Sequence, residues 1–255
     1  IILKYFYDNN FNIIQMKKLN YFFSFLCILL WFNIQSQTIR YVKATGSPTG
    51  TGASWATASN DLQAMINVSS SGDIVKVAAG TYKPNRTAVS PAQVYTGSDS
   101  ETKRRRTFLL KSGVNIIGGY PANITNTAAE KYAPITNKTI LSGDFDSNDV
   151  FSSNVRISGN SENAYNVVTI AGNPNEAYLF KGFHITGGNA NGTSTITVNT
   201  VAGVSLAQGG GINIRGRSSQ NHSSYSETAD FPKVTLENCV FYRNSAQFGG
   251  AVRFA

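Results

Sequence analysis

Two stretches late in the sequence repeat an earlier pattern, and this limits the fold more than any other feature. Leu179-Phe-Lys-Gly-Phe-His-Ile-Thr-Gly-Gly-Asn-Ala190 aligns with Leu236-Glu-Asn-Cys-Val-Phe-Tyr-Arg-Asn-Ser-Ala246 once one residue slips. Gly209-Gly-Gly-Ile212 aligns with Gly249-Gly-Ala-Val252, about 40 residues on. Between them lies a polar, Ser-rich insert, Arg215 to Asp230. Without the insert the beat falls to the low twenties, which suits one turn of a parallel β-solenoid. In such a coil each short strand stacks on its equivalent, and inward side chains form ladders along the axis. Phe183 with Ile185, and Cys239 with Phe241, have the period-two spacing that sends both members of a pair inward. The double glycines mark corners that need positive φ or close backbone approach.

Composition agrees with a turn-rich β protein. Only 14% of the 255 residues are charged while 41% are hydrophobic, so the chain is not a disordered one. Ser, Thr, Asn and Gly stand where charges usually do. The expected strands are Ile74–Ala78, Thr107–Leu110, Val114–Ile117, Thr139–Leu141, Val167–Ile170, Leu179–Ile185, Gly211–Ile214, Val234–Phe241 and Ala251–Phe254. One helix is expected, near Asn60 to Ser70, because Leu62, Met65 and Ile66 share a face. Asn60 is its expected cap, with Gln63 reaching back. Such brief strands with a single helix exclude a doubly wound α/β fold.

The first 36 residues read as an address. Residues 16–36 pass from Lys17-Lys18 through an uncharged apolar run, Tyr21 to Ile34, to Gln35-Ser36. That is the plan of a secretory signal peptide, and the run is too short to span a membrane. Residues 1–15 read as upstream read-through, and residues 37–255 as the start of a β-helix domain truncated at its C-terminal end. The mature chain then has no transmembrane helix. It keeps Cys239 but loses Cys27, so no intrachain disulfide can form. The cysteines with His184 and His222 supply no zinc site. The formal charge of +8 falls to about +6 on cleavage. Lys103-Arg104-Arg105-Arg106 reads as a solvated loop rather than a nucleic-acid patch, since no RNA-binding aromatic motif accompanies it.

Phe241-Tyr-Arg-Asn244 followed by Gly249-Gly-Ala-Val252 resembles the FxxN and GGAI repeats of the polymorphic outer-membrane-protein family. The stretches Tyr41-Val-Lys-Ala-Thr-Gly, Ser54-Trp-Ala, Asp61-Leu-Gln-Ala, Gly72-Asp-Ile-Val and Ala79-Gly-Thr-Tyr82 resemble the opening of pectin-lyase-like surface proteins of Bacteroidetes type. The resemblance runs from about Tyr41 to the end. It implies an all-β, right-handed parallel β-helix at the cell surface or outside it. The repeat is complete only once, and no sorting domain is visible. In that fold Leu62, Met65 and Ile66 would lie on the first coil as a cap, with Trp55 packed nearby. An uncapped last coil would associate end to end through its open strand edges.

For chemistry, Asp144, Asp146, Asn148 and Asp149 stand out. Alternate oxygens at Asp144, Asp146 and Asn148 match the start of a calcium loop. The rest of the pattern fails, with Asp149 where Gly and Val155 where Glu would stand, and a surface turn between coils is the other reading. The remaining acids, among them Asp61, Glu130, Glu162 and Glu237, pair with one another nowhere in the repeat register. His184 should face solvent, His222 has no discernible partner, and no G-x-S-x-G elbow is present. The expectation is a non-catalytic stalk or adhesin touching carbohydrate or cell-surface components. The alternative is a polysaccharide lyase or glycoside hydrolase with its catalytic coils beyond Ala255.

Overall fold

The structure, a computed structural model, describes residue 20 and residues 36–152, 157–217 and 231–255. Contacts divide the chain into residues 1–37 and 38–255, and every element named here lies in the second unit. Most of the expected signal segment, Cys27, Val155, His222 and most of the 215–230 insert fall outside the described residues. The second unit is mostly β. Its first strands are β1 (Ile39–Ser47), β2 (Ile74–Ala78), β3 (Gly80–Tyr82), β4 (Phe108–Leu109), β5 (Asn115–Tyr120) and β6 (Thr139–Ser142). Then come β7 (Val150–Phe151), β8 (Ile157–Ser158), β9 (Val168–Gly172), β10 (Ala177–Lys181), β11 (Phe183–Thr186), β12 (Asn189–Ala190) and β13 (Thr195–Val198). The last are β14 (Val201–Ser205), β15 (Ile212–Gly216), β16 (Lys233–Glu237), β17 (Val240–Phe241), β18 (Ser245–Ala246) and β19 (Val252–Phe254). Two short helices, α1 (Leu62–Val68) and α2 (Ser100–Arg104), interrupt them. Among the described residues no helix is long and apolar enough to cross a membrane.

Three parallel sheets carry the unit: β1-β2-β5-β10-β16, β3-β6-β11-β17 and β4-β9-β15-β19. From β2 onward the chain visits them in one fixed cycle, returning each time beside the strand it made before. The sequences β2-β3-β4, β5-β6-β9, β10-β11-β15 and β16-β17-β19 are four such circuits. Register is kept with them. Val75, Ile116, Phe180 and Leu236 share one rung, Leu141, Ile185 and Phe241 another, and Val168, Ile212 and Val252 a third. The pairings of Phe180 with Leu236, Ile185 with Phe241 and Ala190 with Ala246 hold one constant offset. The slip used to align the two segments is therefore unnecessary, and the match starts at Phe180 rather than Leu179. Two antiparallel hairpins, β7–β8 and β13–β14, project from this scheme.

A single apolar cluster gathers side chains from all three sheets, including Val75, Ile116, Leu141, Ile170, Phe180, Phe183, Ile185 and Ile212. Phe180 and Phe183 stack with ring centroids 4.2 Å apart across the corner between β10 and β11. Cys239 and Phe241 pack against the same cluster one circuit later, so both expected pairs do turn inward. Their strands are shorter than expected. Gly182, at φ +80°, divides Leu179–Ile185, and Asn238, at φ +50°, divides Val234–Phe241 at the equivalent place.

Leu62, Met65 and Ile66 are buried in the same cluster beside Val42, Val75 and Val77, so α1 lies at the β1 end of the core. Its cap is Asp61 rather than Asn60, with the carboxylate accepting the Ala64 N–H at 2.9 Å. Gln63 does not reach back. Its carboxamide accepts the Leu109 N–H at 2.8 Å and donates to the Leu109 carbonyl at 3.0 Å. It thus stands in for a neighbouring strand along β4, the outermost strand of its sheet. Trp55 is buried in a separate apolar group, between Tyr41 and Tyr120, and donates its indole N–H to Glu130 at 2.9 Å.

Candidate metal centre

β6 ends where Gly143 donates to the Thr186 carbonyl, and the chain leaves the sheet at Asp144. Asp144 then closes its own turn, accepting the N–H groups of Asn148 and Asp149, each at 3.3 Å. Aspartate favours such turns because its short carboxylate reaches backbone two to five residues on. Ser147 takes up a left-handed φ of +58° within the turn. The hairpin of β7 and β8 folds the following chain back on the loop, pairing Val150 with Ser158. That return brings Glu162 and Asn163 to Asp149.

Carboxylate oxygens of Asp144, Asp149 and Glu162 lie within 4.8 Å of one another, all three side chains half-buried. The Asn163 Nδ2 donates to both oxygens of Asp149, at 3.1 and 2.9 Å. Burial pushes the Asp149 carboxyl above the usual carboxylate range. The bond from Asn163 opposes this, Asp144 and Glu162 add to it, and Arg243 opposes it. Two polar atoms at this place, Glu162 Oε1 and Asn163 Oδ1, are buried without a hydrogen-bond partner.

The sequence-based set is only partly brought together. Asp144 and Asp149 belong to the group. Asp146 is exposed and turned away, paired with Lys103 Nζ at 2.7 Å. Asn148 is exposed and offers the turn its backbone N–H. Glu162 and Asn163 were missed, since they enter through an antiparallel hairpin that lies outside the parallel register. The weak signal for them is an acid and an amide directly after Ser158-Gly159-Asn160-Ser161, a turn-forming run.

The other candidates resolve differently. His184 is buried rather than solvent-facing, because the chain segment at Pro134 covers it and its Nε2 lies 3.1 Å from the Pro134 carbonyl. It points away from the apolar cluster, as alternation requires, but not into water. The basic run is not a loop of solvated charge either. Lys103 and Arg104 end α2, Arg104 lies 4.0 Å over the Tyr165 ring and donates to Asn163 and Asn189 carbonyls, and Arg106 lies 3.8 Å over Phe145. These cations pin the 144–165 region to the sheets.

Scattered acids are tied singly to cations or donors: Asp61 to Arg86 at 2.6 Å, Glu237 to Lys181 at 2.8 Å, and Glu130 to Lys76 and Trp55. Compared with family models, curated proteins and solved structures, the chain matches none of them.

Proposed function

We propose that this is a secreted or cell-surface protein whose second unit is a right-handed parallel β-helix capped by α1. It would act as a stalk or adhesin that contacts carbohydrate or cell-surface components along one face. The observation that supports this best is the fixed cycle through three parallel sheets, four times over, with apolar residues stacked rung upon rung. A crossover between parallel strands of one sheet is right-handed in nearly all proteins. Successive circuits then build a rod with long repetitive faces, the geometry of extended binding surfaces. The ionic pairing of Asp61, Asp146 and Glu237 supports a structural reading of those acids, because each already holds a cation.

A second reading, polysaccharide cleavage, is favoured by one observation, the gathering of Asp144, Asp149 and Glu162. Carboxylates about 5 Å apart are the spacing of retaining glycosidases. Incubating the full chain with immobilised acidic and neutral polysaccharides, with and without calcium, separates the two. Retention on a polymer without new reducing ends or unsaturated products is the expected result. Turnover abolished by Asp149→Ala would overturn the stalk reading. Export is checked on the same preparation, since the secreted chain should begin near Gln37.

A further inference from the structure

We infer that a cleft between residues 87–97 and α2 is a subsite for one uncharged sugar residue. The inference rests on the reading of this chain as a carbohydrate-contacting surface protein and says where such a contact is made. The cleft has a volume of about 250 Å³, and Thr87, Ser90, Gln93, Tyr95, Thr96 and Thr102 are among the residues that line it. Among the described residues no charged side chain lines it. Drug-sized ligands fill roughly 300–1,000 Å³, so this space suits a single ring rather than a longer stretch of polymer. Its walls are held in place by the protein itself. The Asn67 side-chain amide donates to the Pro91 carbonyl at 2.6 Å, the Tyr95 N–H to the Asn85 carbonyl at 2.8 Å, and the Tyr95 hydroxyl to the Asp99 carbonyl at 2.8 Å.

Thr87 is the observation that points to a ligand. It is only 9% exposed and lines the cleft, yet its hydroxyl has no hydrogen-bond partner among the described residues. A side chain buried that far is normally paired. The side chains of Ser90, Gln93 and Thr96 are likewise unbonded among the described residues, so one concave surface gathers three further polar groups with spare capacity. Hydroxyls and carboxamides both donate and accept. That matches a ligand whose own groups are hydroxyls of the same dual kind. Tyr95 commits its hydroxyl proton to Asp99 and adds an apolar ring beside which a sugar's C–H groups can pack. An ionic ligand would want a countercharge, but Arg106, 5.8 Å over the Tyr95 ring, is stacked 3.8 Å over Phe145 and does not line the cleft. A peptide would want an open strand edge for its backbone. Here the chain runs through turns instead, with Ser90 N–H donating to the Thr87 carbonyl and Gln93 N–H to the Ser90 carbonyl.

Saturation-transfer NMR on the full chain, titrated with the methyl glycosides of glucose, galactose and mannose and with sodium glucuronate, tests the site. At least one neutral glycoside should bind, and more tightly than glucuronate. Thr87→Val and Gln93→Ala should each weaken it roughly three- to tenfold, the factor that one lost neutral hydrogen bond carries. Tyr242→Ala, at an exposed ring just after β17, should leave it unchanged. Absence of binding by all three neutral glycosides overturns the proposal, as does tighter binding of glucuronate. Equal binding by the parent and both cleft variants overturns it too, and loss in Tyr242→Ala alone moves the contact to the β17 face. Retention on immobilised polysaccharide keeps the two readings apart. If polymer holds the parent and both cleft variants equally, the chain contacts carbohydrate but not through this cleft. If the parent binds glycoside in the cleft but no polymer, the subsite stands and the adhesin reading fails. Should Thr87→Val fail to fold, Gln93→Ala, at an exposed position, still decides.

Discussion

Asp61 shows how one side chain can hold two elements. One oxygen accepts the Ala64 N–H and the Arg86 guanidinium, and the other accepts the Asn85 amide at 3.1 Å. Burial works against its charge, but the bonds from Arg86, Ala64 and Asn85 outweigh it and hold the carboxyl below the usual range. A depressed folded-state value means the stabilisation is fully present above the unfolded carboxylate value and disappears as pH falls through the folded one. Asp61→Ala removes the helix cap and strands a buried arginine, which together should cost about 3 kcal/mol. Urea unfolding at neutral pH should show that loss, and the gap between variant and parent should narrow as the pH drops below the ordinary carboxylate range. The helix itself was legible from Leu62, Met65 and Ile66. The capping residue was not, because Asn60 and Asp61 both suit the role and the choice is made by Arg86, distant in sequence. The basic run misled for a similar reason: its partners Tyr165, Asn163 and Asn189 lie some sixty residues or more away.

Strand ends and corners are set by backbone rather than by side-chain pattern. Gly209 and Gly249, equivalent across one circuit, share a φ of +65°. Beside them the requirement is space: a Cβ on Gly188 would sit 1.9 Å from the Gly210 carbonyl oxygen. Backbone cannot yield there as a flexible side chain could, so Gly188→Ala should destabilise by about 3 kcal/mol. At Gly72 a Cβ meets nothing within 4 Å, and only the strain of its φ of +94° remains. Gly72→Ala should therefore cost about 1 kcal/mol. Parallel chemical denaturation of the two variants checks the ranking. Double glycines were readable as corners for this reason. The break at Asn238 and the β13–β14 turn were not, since asparagine and threonine occupy left-handed positions there without a glycine to mark them. Asn199 and Thr200 have φ of +49° and +67°, the paired positive values of a tight hairpin turn that Asn-Gly usually announces.

At the scale of the whole molecule, the repeat was visible in sequence only where two circuits share a corner of equal length. The segments at 179–190 and 236–246 resemble each other because β10-β11 and β16-β17 keep the same corner, although the sequence set Leu179 rather than Phe180 against Leu236. Earlier circuits carry excursions, α2 before β4 and the β7–β8 hairpin before β9, which hide the same cycle from any fixed spacing. Those excursions also carry what the repeat does not, including the carboxylate group at 144–162. A crystal structure of the chain, traced for the path between sheets, tests the proposed coil most directly. The account predicts right-handed circuits in which Leu141, Ile185 and Phe241 stack as one column and Val168, Ile212 and Val252 as another. Left-handed circuits, or two sheets facing each other with those columns apart, would contradict it.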